Sequence, residues 1–174
     1  MQDGIKADDF YGHVVASEHS ANIETKDRFT HAIALGSHSA AVTSGDFSHA
    51  LTVGPNARIR TEGFDSFAIA LGSKTEVETV GVCSHAVAAG SYSAIEVSGP
   101  TSIAAGLGYH SKAKGALGCW LILAEWEQMP NPTASNITVL SIKTILAAEV
   151  DGEKIKPNTW YTLVDGEFVE DGNA

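Results

Sequence analysis

Large side chains are scarce in this sequence. Aromatic residues make up 7% of its 174 residues, against 17 glycines, while alanine and serine recur throughout. A chain so poor in bulk cannot fill a thick core; it suits thin layers in which backbone stacks closely on backbone. Long apolar runs are also missing. No stretch approaches the ~20 apolar residues of a membrane span, so no membrane insertion is expected. The opening MQDGIKADDFYGHVV lacks the basic start and apolar middle of a secretory signal. Basic residues are few: 11 Lys and Arg against 21 Asp and Glu give a net charge of −10. That sign disfavours nucleic acid and anionic membrane surfaces as partners, since both reward clustered Lys and Arg. The plain reading of the acidity is solubility of a β-rich chain.

What the chain has instead is a repeat. From Val14 to Leu121 it divides, without a gap, into six blocks of 18 residues. Gly36, Gly54, Gly72, Gly90 and Gly108 form one column, and Gly45, Gly63, Gly81 and Gly99 a second. Thr30, Ser48, Ser66, Ser84 and Ser102 form a third. Two glycine columns nine residues apart cut each block into two strands and two turns. Glycine's backbone freedom is the expected reason for the turns. Each block then forms one coil lying about 4.8 Å from the last, and six coils make a rod of about 29 Å.

The two strands of a coil differ. In the second, Ile23, Ile59, Val77 and Ile95 share a column between Arg58 and Glu76 on one side and Arg60, Glu78 and Glu96 on the other. That alternation puts one face inside and one in water, and the charged columns are the candidates for surface binding. The first strand, as in Ala32-Ile33-Ala34-Leu35, is apolar on both faces, small on one and large on the other. The alanines can pack inside, opposite Ile59. Ile33, Leu35, Leu51, Val53, Ile69, Leu71 and Val87 then need a partner, because soluble monomers avoid long apolar stripes. The sequence therefore calls for an oligomer.

The stretches His31-Ala-Ile-Ala-Leu-Gly-Ser37, Ser66-Phe-Ala-Ile-Ala-Leu-Gly-Ser73 and Ser84-His-Ala-Val-Ala-Ala-Gly-Ser91 resemble the head repeats of YadA-like trimeric autotransporter adhesins. Similar repeats occur in phage tail-fibre-like proteins. The resemblance covers residues 14–121. It implies a left-handed parallel β-roll packed as a homotrimer, and a cell-surface or virion setting with a host surface protein or glycan as the outside partner. The chain departs from the adhesins in its longer period, and shows neither a heptad stalk nor a membrane anchor, which favours a fibre-like protein.

After Cys119 the pattern dissolves. Trp120-Leu-Ile-Leu-Ala-Glu-Trp126 reads as a strand ahead of the breaker Pro130-Asn-Pro132, and Asp151-Gly152 and Asp165-Gly166 read as hairpin turns. The expected fold is all-β: a lead-in over 1–13, a β-roll over 14–121, and a small antiparallel β domain over 122–174 that covers the open end of the roll. Trp120, Trp126 and Trp160 are expected to pack in its core.

Chemistry-bearing residues are few. His13, His31, His49 and His85 fall in one column, interrupted by Phe67 and ended by Ile103. They share strand parity with Ile33, so a trimer would bring three imidazoles together at each rung, able to hold a metal or to repel when protonated. The plainer reading is a stacked polar column, since Phe67 shows that the position demands no ligand. Cys83 and Cys119 fall in one column two rungs apart, about 9.6 Å by the rung spacing, and are expected as free thiols. Asn136-Ile-Thr138 matches a glycosylation sequon. No catalytic residue, cofactor or metal site is expected. The enzyme alternative is a hexapeptide-repeat acyltransferase, whose coil needs three aliphatic corners; here the third column contains Asp65, a costly charge inside a narrow coil. A passive spacer is the remaining alternative.

Overall fold

A computed structural model describes residues 5–7, 11–130 and 138–172. All of its regular structure is β, in seventeen strands. One sheet, called A here, stacks β1 (Ile5–Ala7), β3 (Asn22–Thr25), β5 (Ala40–Thr43), β7 (Arg58–Thr61), β9 (Glu76–Thr79), β11 (Ala94–Val97) and β13 (Lys112–Gly115) in parallel. The other, B, stacks β2 (His13–Ala16), β4 (His31–Ala34), β6 (His49–Thr52), β8 (Phe67–Ala70), β10 (His85–Ala88), β12 (Ile103–Gly106) and β14 (Trp120–Pro130). Successive partners lie 18 residues apart, as in Ile33 beside Leu51 and Ile59 beside Val77. The chain is therefore a parallel β-solenoid with two strands per coil. The three-sided coil that the acyltransferase alternative requires is not formed.

Ala32, Ala34, Ala50, Ala68, Ala70, Ala86 and Ala88 of sheet B pack against Ile23, Ile59, Val77 and Ile95 of sheet A, all buried. Small side chains on one sheet and branched ones on the other suit a thin interior. Most turns add a buried hydroxyl. The Ser66 side chain accepts from the Ser48 N–H of the coil before and donates to the Gly45 carbonyl, and Ser84 repeats the pattern with Ser66 and Gly63. The hydroxyls thus take up backbone groups that the turns would otherwise leave unpaired. A second such column, Ser39, Thr75, Ser93 and Ser111, is buried at the opposite turn.

The glycine columns serve a purpose other than the one the sequence suggests. The left-handed residue of each turn is not the column glycine but a residue two positions later, every ninth residue from Tyr11 to His110. His38 has φ 58° and Asn56 φ 56°. At that angle the N–H points forward: His38 donates to Pro55 and Asn56 to Ser73 of the next coil, at 2.9 Å each. The glycines are needed because backbone stacks on backbone. A Cβ on Gly72 would lie 2.1 Å from the Gly54 carbonyl oxygen.

The gapless register also fails in the last coil. Ile103 pairs with Trp120, not Leu121, so one residue is missing from this turn. The left-handed series steps from His110 to Gly118 (φ 79°), eight residues on. Cys119 therefore leaves the column of Cys83 and enters that of Ser102, where its Sγ lies 3.1 Å from the Gly99 carbonyl oxygen, as Ser102 Oγ lies 3.2 Å from that of Gly81. Both thiols are free.

Strand β14 continues past the roll and pairs antiparallel with β15 (Thr138–Glu149), with a bulge at Glu125/Trp126. Strand β16 (Tyr161–Val164) adds antiparallel to β13 and β17 (Glu167–Glu170) antiparallel to β16, so the C-terminal segment extends both sheets rather than forming a core of its own. At the other end, β1 pairs with β3, which makes part of the lead-in a strand of the roll. Larger side chains close the far end. Leu121, Leu123, Val150 and Tyr161 are buried there, and Gly106 and Gly115 make room for the two leucines.

Asp165-Gly166 is the expected two-residue hairpin, with φ of 50° and 77°. Asp151-Gly152 is not: β15 lies in sheet B and β16 in sheet A, so this loop crosses the end of the roll. Its Asp151 carboxylate accepts the N–H groups of Glu153, Lys154 and Ile155. Those bonds, Ile155 first, hold the carboxyl below the usual range. None of the three tryptophans reaches the core. Trp120 is exposed, Trp126 is half-buried with its indole N–H on the Leu107 carbonyl, and Trp160 lies half-buried on sheet A. The buried aromatic is Tyr161, whose hydroxyl accepts the Lys156 N–H. The breaker Asn131-Pro132 and the sequon residue Asn136 lie outside the described residues.

Candidate functional site

The outer face of sheet B carries all the residues expected to need a partner. Ile33, Leu51, Ile69 and Val87 lie side by side on β4, β6, β8 and β10 and alternate with buried alanines. Leu35, Val53 and Leu71 follow at the strand ends, 42%, 40% and 50% exposed. The stripe is longer than the sequence indicated. Val15 begins it, and Ile122 on β14 continues it. Beyond that, β15 adds Ile145 opposite Ala124, and past the bulge Ile142 opposite Trp126 and Leu140 opposite Gln128. Leu140, Ile142 and Ile145 are all exposed. Their part in the stripe could not be read from the sequence, because the repeat ends before them and the bulge changes their parity.

The histidines form a ladder on the same face. His13 and His31 rings lie 4.5 Å apart edge-on, His31 and His49 4.8 Å apart and stacked, and Phe67 fills the gap before His85. Burial first, and then the neighbouring His49 and His13, push the His31 imidazole below its ordinary value of 6.5. His85 Nδ1 is buried and unpartnered among the described residues. The surroundings of His31 favour its neutral ring. Among the described residues of one chain, no group of three His, Cys, Asp or Glu side chains is placed to hold a metal ion.

Sheet A is the opposite in character. Most of its outward residues are charged, and they pair along the stack. Arg58 Nε lies 2.7 Å from the Glu76 carboxylate, Arg60 pairs with Glu78 and Glu62, and Lys114 lies 3.0 Å from Glu96. The expected binding candidates Arg58, Arg60, Glu76, Glu78 and Glu96 are thus brought together as a ladder, with the small side chains Ala40, Val42 and Ala94 beside them. They line a groove of about 460 Å³. Trp160 forms part of its wall, its ring held by the Lys112 and Lys114 ammonium groups at 5.0 and 4.8 Å from the centroid. Lys112 also pairs with Asp171. Trp160 belongs to this site because it precedes Tyr161, which pairs with Ala113 and points inward.

One edge of the roll carries a second aromatic ladder. Tyr11, Phe29 and Phe47 stack at 5.2 and 5.1 Å, with the Arg28 guanidinium over both phenylalanine rings and paired with Asp46. All three occupy left-handed turn positions. Their nine-residue offset from the opposite turn column is the signal that could have marked them.

No helix among the described residues is long and apolar enough to cross a membrane. Compared with protein-family models, curated proteins and solved structures, the chain finds no match in any of the three.

Proposed function

We propose that this chain is a non-enzymatic structural or adhesive module that works as a homotrimeric β-roll, with sheet B turned inward and sheet A presented to the surroundings. The observation that carries this reading is the asymmetry of the two sheets. Sheet B presents histidine, aromatic and aliphatic side chains from Val15 to Ile122 with no Lys, Arg, Asp or Glu on the outer positions of β2, β4, β6, β8, β10 and β12. Sheet A carries paired charges on most of the matching positions of β7, β9, β11 and β13. A water-exposed apolar face of that length favours association. The number three comes from the resemblance of the repeat to YadA-like adhesin heads and phage fibre-like proteins. A rigid rod of this kind suits a cell surface or virion, where sheet A would meet a host protein or glycan.

The test is sedimentation of a Leu71→Glu variant. A charge placed in the stripe yields a lighter species than the unmodified protein, with the β-sheet circular dichroism unchanged. An equally heavy species would contradict the proposed face. A passive spacer would assemble identically but bind nothing, which separates the two non-enzymatic readings.

A further inference from the structure

The groove on sheet A favours one class of ligand. We infer that it is a binding site for an uncharged oligosaccharide, with Trp160 as the stacking wall. The inference deepens the adhesive reading proposed above and rests on it for its biological sense, though not for its chemistry.

Charge is the first argument. Each of the three carboxylates lining the groove already faces a cation: Glu76 faces Arg58, Glu78 faces Arg60, and Glu96 faces Lys114. An anionic ligand would compete with the carboxylates and a cationic one with the guanidinium groups. A hydroxyl competes with neither. Paired Arg and Glu side chains keep unused donors and acceptors at fixed spacing, which vicinal hydroxyls can bridge as donor and acceptor at once. This holds on a chain of net charge −10, where an unbiased surface would be acidic.

Shape is the second. The groove's volume of about 460 Å³ lies in the usual range of ligand sites. Its lining divides into short apolar side chains, Ala40 and Val42 ahead of the Arg58 and Arg60 row and Ala94 beyond Glu76, and long charged ones. Sugar rings have the same division: apolar C–H faces and a polar rim. An aromatic wall takes a C–H face, and Trp160 provides one, fixed by Lys112 and Lys114.

An extended peptide is a poorer fit. Peptides add to a sheet through its edge, using unpaired backbone groups. This site lies on a face whose backbone groups are spent in the parallel ladder between β5, β7, β9 and β11.

The test titrates maltotetraose and chitotetraose, with a sialylated oligosaccharide and a collagen-like peptide as charged and peptidic controls, into the intact protein. The readout is the indole N–H resonance of Trp160 in the unmodified protein, and the heat of binding by titration calorimetry in that protein and in every variant. At least one neutral tetrasaccharide is expected to shift the resonance below about 10 mM. Ala94→Arg, which fills the exposed groove without touching the core, weakens binding at least about tenfold. Trp160→Ala does the same and Trp160→Phe restores most of it. No shift with either neutral sugar, or binding of only the sialylated sugar or the peptide, overturns the inference. Light scattering on the same samples keeps the two claims apart: three chains without sugar binding removes only this inference, and one chain with sugar binding removes only the assembly.

Discussion

A Cβ on Gly54 would lie 2.2 Å from the carbonyl oxygen of Gly36, the glycine one coil earlier. The contact is with backbone, which cannot move aside without separating the coils. Gly54→Ala is therefore expected to destabilise the roll by about 3 kcal/mol, the upper range for overpacking. Gly172→Ala, with nothing near its added carbon, leaves stability unchanged. Chemical denaturation midpoints check both. A tolerated Gly54→Ala would mean that the coils are spaced more loosely than described.

The histidine ladder makes stability depend on pH. His31 titrates below its ordinary 6.5 when folded, so between its two values the unfolded chain binds more protons. Stability is complete above pH 6.5 and falls as the pH drops through and below that value. The facing groups are the imidazoles of His13 and His49 and the Phe67 ring beyond, with no carboxylate in the ladder to compensate. Thermal melting at pH 7.5 and 5 should show the loss. His31→Phe, which places in coil two the residue coil four already has, should reduce it. A melting temperature that rises on acidification would contradict the lowered titration of His31.

Register can be read from the two thiols. Cys83 is half-buried and Cys119 fully buried in the serine column. Under native conditions a thiol reagent should modify Cys83 first and Cys119 only on unfolding. Cys119→Ser should cost less than about 1 kcal/mol, because a hydroxyl holds the same place in Ser102 and Ser84. Equal reactivity of the two thiols would restore the gapless register.

The loop over the end of the roll depends on Asp151. Its carboxylate takes three backbone N–H groups, so Asp151→Ala should speed hydrogen exchange at Glu153, Lys154 and Ile155 by at least about tenfold while exchange in the coils is unchanged. Because this carboxyl is held below its usual range, its contribution is present above that range and lost as the pH falls through the depressed value. Unchanged exchange would mean the loop is held by Ile155 and Val150 packing alone.

The period carried most of the fold. Strand number, the two faces of each strand and the burial of Ala32, Ala34 and Ile59 all follow from residues 18 apart, because every coil repeats one packing problem. What the period could not carry lay where repetition stops or where a residue serves geometry rather than pattern. The missing residue before Cys119 is hidden because Gly118 mimics a turn glycine. Trp160 looks like core, yet the next residue, Tyr161, takes the core position. Glycine's reason was also hidden, since a turn glycine and a stacking glycine look alike in sequence.

Under the proposed function, other copies of this chain cover the outer face of sheet B. Light scattering behind a sizing column, on the unmodified protein at pH 7.5, tests it most directly. A single species of three times the chain mass is expected. A single species at the mass of one chain would contradict it.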